Sequence, residues 1–182
     1  MIAQYPLENR QEARLLVLNR KNQEISHAVF KDISGFFRKN DLLVLNDTKV
    51  LHCRLIGKKT TGGRVEILLT RRIDGTTFSC LVQPSRTKPG EKIIFAEGKV
   101  TGTLSSRGQI SFKQSDAEII YNYGIVPLPP YIKREPEDLD KVFYQTVYAK
   151  NAGALASPTA GLHFTQESLK ELDRLGINLA YL

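Results

Sequence analysis

The 182 residues contain no tryptophan, one methionine and two cysteines. The cysteines, Cys53 and Cys80, each lie in a strand-like stretch and form no C-x-x-C pair, and His52 cannot complete a tetrahedral site with them. This pattern excludes a disulfide scaffold and a zinc module, and reads as buried free thiols in a reducing compartment. No metal is expected. Apolar runs of membrane-spanning length are missing, and the opening MIAQYPLENRQEAR lacks the apolar core of a secretory signal. A cytoplasmic protein with no membrane partner is therefore expected. No Walker loop, G-x-G-x-x-G loop or G-x-S-x-G elbow occurs. The last absence counts against a hydrolase using Ser157 as nucleophile and His163 as base, and no prosthetic cofactor is expected.

With 41% hydrophobic and 25% charged residues the chain reads as globular. Its net charge of +7 is unevenly placed. Residues 1–52 carry 8 basic and 6 acidic side chains, residues 53–115 carry 12 and 4, and residues 116–182 carry 6 and 9. The basic excess thus belongs to the middle segment, which is either a polyanion-binding surface or a solvated face kept for solubility.

RLLVL (14–18) and EISHAVF (24–30) read as two strands joined by a polar turn. Asp32 is placed to cap a short helix bearing Ile33, Phe36 and Phe37, and DLLVLN (41–46) has the pattern of a strand buried on both faces. From residue 53 the pattern changes. CRLIG, RVEILLT, TFSCLV, EKIIF, KVTGTL and QISF are short strands separated by the turn signals TTGG, DG, KPG, EG and SSRG. This predicts an antiparallel barrel or sandwich. VPLPPYIKREPED then reads as a rigid connector carrying Tyr131, Lys133 and Arg134, because proline removes ladder donors. The fold class expected is α+β, a mixed α/β main domain interrupted by an inserted all-β barrel. Its parts are 1–52, the basic barrel 53–125, and the main domain continued over 126–182.

Leu139, Val142, Phe143, Thr146 and Val147 predict a helix over 139–150, with Tyr144 and Tyr148 on one face. AGALASPTAG follows, composed of small residues apart from one leucine, and then His163. Such a loop lets a backbone or ligand approach closely, and its end before a helix offers N–H groups to an anion or polar base edge. A tight strand–helix crossing with His163 hydrogen-bonded into the core is the structural alternative. Thr165 is a good N-cap, Glu167 favours the positive helix end, and Leu169, Leu172 and Leu175 form the apolar stripe, which Gly176 ends. LNDTKV (45–50) places Asn46, Asp47 and Thr48 at a strand end, where α/β sheets build sites and where Asx turns also occur.

IAQYPLENR, RLLVLNR, DLLVLNDTKV with Arg54 after it, TGGRVEILL, YGIVPLPPYIKR and YQTVYAKNAGALASPTAGLHFT stand in one order. In that order they resemble the S-adenosylmethionine:tRNA ribosyltransferase-isomerases of queuosine biosynthesis. Family members usually have Arg at the position of Lys49, Pro-Ala at His52-Cys53 and Ala at Ser157, and several residues before the position of Met1. They are nearly twice as long, so the chain resembles their N-terminal half and is expected to be a shortened protein.

The resemblance implies a main domain built on a barrel-like sheet, interrupted by a smaller barrel. It also implies transfer and isomerisation of the ribosyl moiety of S-adenosylmethionine onto 7-aminomethyl-7-deazaguanine at the tRNA wobble position. The products are epoxyqueuosine, adenine and methionine. That chemistry needs a base for a proton acidified by the sulfonium and a donor for departing adenine. His163 is the first candidate and Asp47 the second, with Asn46 and Thr48 positioning. Tyr144, Gln145, Thr146 and Tyr148, with Pro158, Thr159, Ala160, Gly161, Leu162 and Phe164, are expected to hold substrate. Arg54, Lys58, Lys59, Arg64, Arg71 and Arg72, with Tyr131, Lys133 and Arg134, are expected to meet tRNA. Three alternatives remain: an inactive fragment acting as a basic tRNA-binding module, a half-protein that works with a separate C-terminal half, and a protein that occupies the fold and serves only as an interaction partner.

Overall fold

The computed structural model describes residues 2–106, 108–113 and 117–182, with backbone alone for 117–119. Met1, Arg107 of the SSRG turn and Asp116 of DAEIIYNYG lie outside the described residues. The chain divides into two compact units, one holding the residues up to Val50 with Pro130–Leu182, the other Leu51–Pro129. The whole is a mixed α/β protein with one closed antiparallel barrel.

The first unit opens with strands β1 (Arg14–Asn19) and β2 (Glu24–Val29), which form the expected hairpin. A 3-10 helix, Phe30–Phe36, follows. Asp32 does not cap it: the N-cap is Val29, whose extended backbone carries β2 straight into the turn, and Asp32 falls inside the first turn. Strands β3 (Leu42–Leu45) and β4 (Thr48–Val50) come next. β3 is not buried on both faces. Leu45 is buried, but Leu42 is 61% and Val44 49% exposed, because among the described residues β3 has a single strand partner and packs on the core by one face.

The second unit is made by β5 (Arg54–Lys59), β6 (Arg64–Arg72), β7 (Thr77–Gln83), β8 (Lys92–Phe95), β9 (Val100–Ser106) and β10 (Gln109–Phe112). They join in the order β10-β7-β6-β5-β8-β9, and the β9–β10 pairing closes the ring. Closure follows from alternation: Val65, Ile67 and Leu69 of β6 are buried, as are Phe78 and Cys80 of β7, Ile93 and Phe95 of β8, and Ile110 and Phe112 of β10. A closed ring leaves no strand edge. Both cysteines are free and buried, and burial pushes each thiol up to about 11. The short helix α1 (Ala117–Asn122) follows, and Ile125 bridges back to Arg54.

The chain then supplies the rest of the first unit: α2 (Asp140–Phe143), β11 (Asn151–Ala154), α3 (Gln166–Arg174) and β12 (Asn178–Tyr181). β11 pairs with β4 and β12 with β3, both parallel. Phe30, Leu45, Phe164, Leu169, Leu172 and Ile177 form the core, with Leu43 and Leu179 against it. α3 ends at Gly176, whose φ of +78° suits glycine, and Leu175 at its C-cap is half exposed, outside the buried stripe. Among the described residues this unit contains three separate two-stranded sheets and not the single barrel-like sheet that the resemblance implies.

Candidate active site

The helix expected over 139–150 stops at Phe143, so Tyr144 and Tyr148 do not share a helix face. At this point Arg10 bonds carbonyls that a continued helix would use. Continuing the helix would direct the N–H groups of Thr146 and Ala149 to the carbonyls of Val142 and Gln145. The Arg10 guanidinium instead donates to those two carbonyls, at 2.6 and 2.7 Å, and to that of Leu162 at 3.3 Å. Arg10 also lies over the Phe143 ring at 5.2 Å, and burial lowers its pKa. Gln145 is likewise committed: its side chain accepts from the Val50 N–H at 3.0 Å and donates to the Val50 carbonyl at 2.8 Å.

Past that point the chain folds against the small-residue loop. A Cβ at Gly161 would fall on the Tyr148 hydroxyl and lie 3.1 Å from Thr146 Cγ2, so glycine here serves close approach. The loop is itself a 3-10 helix, Thr159–His163, with Pro158 at its N-cap. Thr146 is 4% and Ser157 7% exposed, yet neither hydroxyl has a hydrogen-bond partner. Buried polar atoms are nearly always satisfied, so two hydroxyls without a partner among the described residues, beside one loop, stand out. Burial raises the pKa of Tyr144, an effect that a hydrogen bond from the Ser157 backbone opposes, and burial also raises that of Tyr148. Both phenols stay protonated near neutrality.

His163 ends the 3-10 turn with its ring 5.1 Å from that of Phe30, which packs edge-on against Phe164 at 4.9 Å. Phe164 itself is in the core. Among the described residues no hydrogen bond holds the His163 imidazole. Its ring contact is the tilted one with Phe30, at 46° between planes. The α3 N-terminus is not the open set of donors expected. Thr165 and Ser168 cap each other's backbone, and Glu167 accepts from its own N–H, which together with Thr165 lowers its pKa.

Asp47 is buried at the β3–β4 junction. Both carboxylate oxygens accept from Asn151 Nδ2, at 2.9 and 3.1 Å. Its carbonyl accepts from Lys150 and Asn151, and its N–H donates to Leu182. Asn46 makes the Asx turn to the Thr48 N–H at 2.9 Å, and the Thr48 hydroxyl donates to the Asn151 carbonyl at 3.5 Å. Asp47 is thus the knot between β3, β4, β11 and β12, and among the described residues no hydrogen bond joins it to His163. Sequence reading missed Arg10 and Asn151, whose partners lie 132 to 152 and 104 positions away.

The connector is anchored by Arg134, which meets both Asp140 oxygens at 2.7 Å, donates to the Gln4 carbonyl and lies 4.4 Å over the Tyr5 ring. Burial pushes the Asp140 carboxyl up, but Arg134 and the Glu137 N–H outweigh it and hold the pKa low. A depressed carboxylate contributes stability above its unfolded pKa and loses it as pH falls through the folded one. Asp140→Asn is therefore expected to cost about 3 kcal/mol at neutral pH. In denaturant titrations the difference from wild type should vanish below the carboxylate range; a pH-independent difference would contradict it. Tyr131 and Lys133 are exposed, and Gln4 bonds the backbone of each.

In the barrel unit, Arg54 forms a bidentate pair with Glu66 at 2.7 and 2.8 Å, and Lys59 meets Glu91 at 2.7 Å. Arg72 bonds the carbonyls of Asp74 and Gly75. Lys58, Arg64 and Arg71 are exposed, and Lys58 stands directly across the β5–β6 ladder from Arg64.

A family model described as "Queuosine biosynthesis protein" matches residues 1–182. The chain belongs to the queuosine biosynthesis protein family. The S-adenosylmethionine:tRNA ribosyltransferase-isomerase of Syntrophotalea carbinolica is 45% identical over 98% of this chain and 55% of the relative. That of Aquifex aeolicus is 43% identical over 100% and 56%. A solved S-adenosylmethionine tRNA ribosyltransferase from Thermotoga maritima is 30% identical, covering 99% of this chain and 53% of that one, with a TM-score of 0.38. The chain spans about half the length of the curated relatives it matches, and matches the N-terminal half of the family.

Proposed function

We propose that this chain carries the N-terminal part of an S-adenosylmethionine:tRNA ribosyltransferase-isomerase. The observation that carries the reading is the family match over residues 1–182, joined to the orphaned hydroxyls of Thr146 and Ser157 beside the His163 loop. S-adenosylmethionine is the ribosyl donor and a tRNA bearing 7-aminomethyl-7-deazaguanine at the wobble position is the acceptor. The ribosyl carbons are transferred and isomerised to give epoxyqueuosine, and adenine and methionine leave. His163 moves the proton at the substrate, Tyr144, Tyr148 and Thr146 donate hydrogen bonds to it, and Asp47 holds the strand ends that frame the loop. The burial of Thr146 and Asp47, with Tyr144, Tyr148 and His163 half-buried, supports a site that keeps reactive intermediates from water. No resident metal or prosthetic group is required by this scheme, and the setting is the cytoplasm.

The barrel unit is the inserted domain of the same reading and meets tRNA phosphates. The exposure of Lys58, Arg64 and Arg71 supports this, because exposed cations can meet backbone phosphates. Lys58→Ala with Arg64→Ala is expected to weaken tRNA binding uniformly. The slope of log K against log salt should shallow by roughly one to two counterions in filter binding; an unchanged slope would remove the pair from the interface.

The test of the reaction is nucleoside mass spectrometry of that tRNA after incubation with this chain and S-adenosylmethionine. It is run alone and with a polypeptide corresponding to the C-terminal portion of the Aquifex aeolicus relative. Epoxyqueuosine under either condition supports the reading. Salt-sensitive tRNA binding with no product under both would favour the basic binding module.

A further inference from the structure

Arg10 is half-buried in the 3-10 turn Arg10–Glu12, which Asn9 caps by accepting from the Gln11 N–H at 3.1 Å. A charge taken out of water is usually paired with an opposite one. Among the described residues the Arg10 guanidinium has no carboxylate partner, only three backbone carbonyls and the Phe143 ring. Those carbonyls come from two segments. Nη2 donates to Val142 at 2.6 Å, while Nη1 donates both to Gln145 at 2.7 Å and to Leu162 at 3.3 Å. Gln145 immediately precedes Thr146, and Leu162 immediately precedes His163. One nitrogen therefore ties the backbone of segment 144–148 to that of the Thr159–His163 loop. The same two segments meet again where Gly161 admits the Tyr148 hydroxyl. Ending a helix needs no such device, since a glycine or a proline does it. What an arginine adds is a planar, permanently charged fork that holds several oxygens at fixed separations.

We infer that Arg10 is a positioning residue of the candidate site, setting the separation between segment 144–148 and His163. It touches no reacting atom. The inference rests on the catalytic reading, in which Tyr144, Thr146 and Tyr148 bond the substrate from one segment and the imidazole meets it from the other. Loosening the tie leaves the first segment able to hold substrate and misplaces the imidazole against it. The signature is a fall in kcat with little change in KM.

The experiment uses Arg10→Met, which keeps a long stem and loses the fork, and Arg10→Lys, which keeps one nitrogen with three donors. The first readout is hydrogen exchange of the chain alone, which needs no substrate. The Ala149, Gly161 and Phe164 amides bond to the carbonyls of Thr146, Pro158 and Gly161. In Arg10→Met they should exchange roughly tenfold faster, with the barrel unit and the β3–β12 pair unchanged. The second readout is turnover under the assay condition in which wild type forms epoxyqueuosine. Arg10→Met should lose about 100-fold in kcat, while KM for S-adenosylmethionine stays within about threefold. Arg10→Lys should recover part of both effects. Unchanged exchange, faster exchange in one segment only, or a uniform rise across the first unit in both variants would each overturn the inference. So would a KM effect as large as that on kcat, or an Arg10→Lys chain no better than Arg10→Met. Wild type that forms no product under either condition would count against the catalytic reading alone, and exchange would then decide the tie by itself.

Discussion

Replacing His163 with alanine is expected to lower epoxyqueuosine formation by roughly 10²- to 10⁴-fold, the range lost with a general acid or base. The comparison is made under whichever assay condition yields product. In the proposed reading the imidazole acts from the end of the 3-10 turn, with the Phe30 ring 5.1 Å away. Among the described residues no hydrogen bond ties it into the core. The structural cost is therefore small, about 1 kcal/mol for the lost ring contact, and the unfolding midpoint should move by only a few degrees. Turnover retained by the variant would sink the assignment. A collapse of stability equal to the collapse of activity would move His163 from chemistry to packing.

The second large effect is expected at Gly161. An alanine Cβ would take the place of the Tyr148 hydroxyl, 3.0 Å from Tyr148 Cζ and 3.1 Å from Thr146 Cγ2. The ring or the loop must yield, at about 1–3 kcal/mol. A shift near 1 Å at a positioning group costs on the order of 10² in rate. Gly161→Ala should therefore reduce turnover about a hundredfold and weaken S-adenosylmethionine binding in titration calorimetry. Tyr148→Phe in the same chain removes the obstructing oxygen and is expected to restore the unfolding midpoint. If the double variant regains stability without turnover, the Tyr148 hydroxyl is itself required. If Gly161→Ala binds and turns over normally, the close approach is packing alone.

The knot around Asp47 and the clamp made by Arg10 show where local reading reaches its limit. Asn46, Asp47 and Thr48 could be singled out because a polar triplet ended an apolar run. The partner that defines Asp47, Asn151, is 104 positions away. The helix expected over 139–150 had the right periodicity, but periodicity does not register an arginine from the N-terminal segment taking its carbonyls. The exposed Leu42 and Val44 make the same point: an apolar run states what a strand prefers and not what lies beside it.

Sequence alone determined the six barrel strands and their turns, the β1–β2 hairpin, the Thr165 cap, the Gly176 stop, the buried thiols and the family. Each is written in alternation, turn chemistry or motif order within a few residues of itself. Tertiary structure decided that α2 ends at Phe143, that Gly161 is bounded by Tyr148, that Thr146 and Ser157 are buried without partners, and that one face of β3 is bare. Those outcomes depend on which distant groups compete for the same carbonyls, volume and apolar surface, and only the folded chain brings the competitors together.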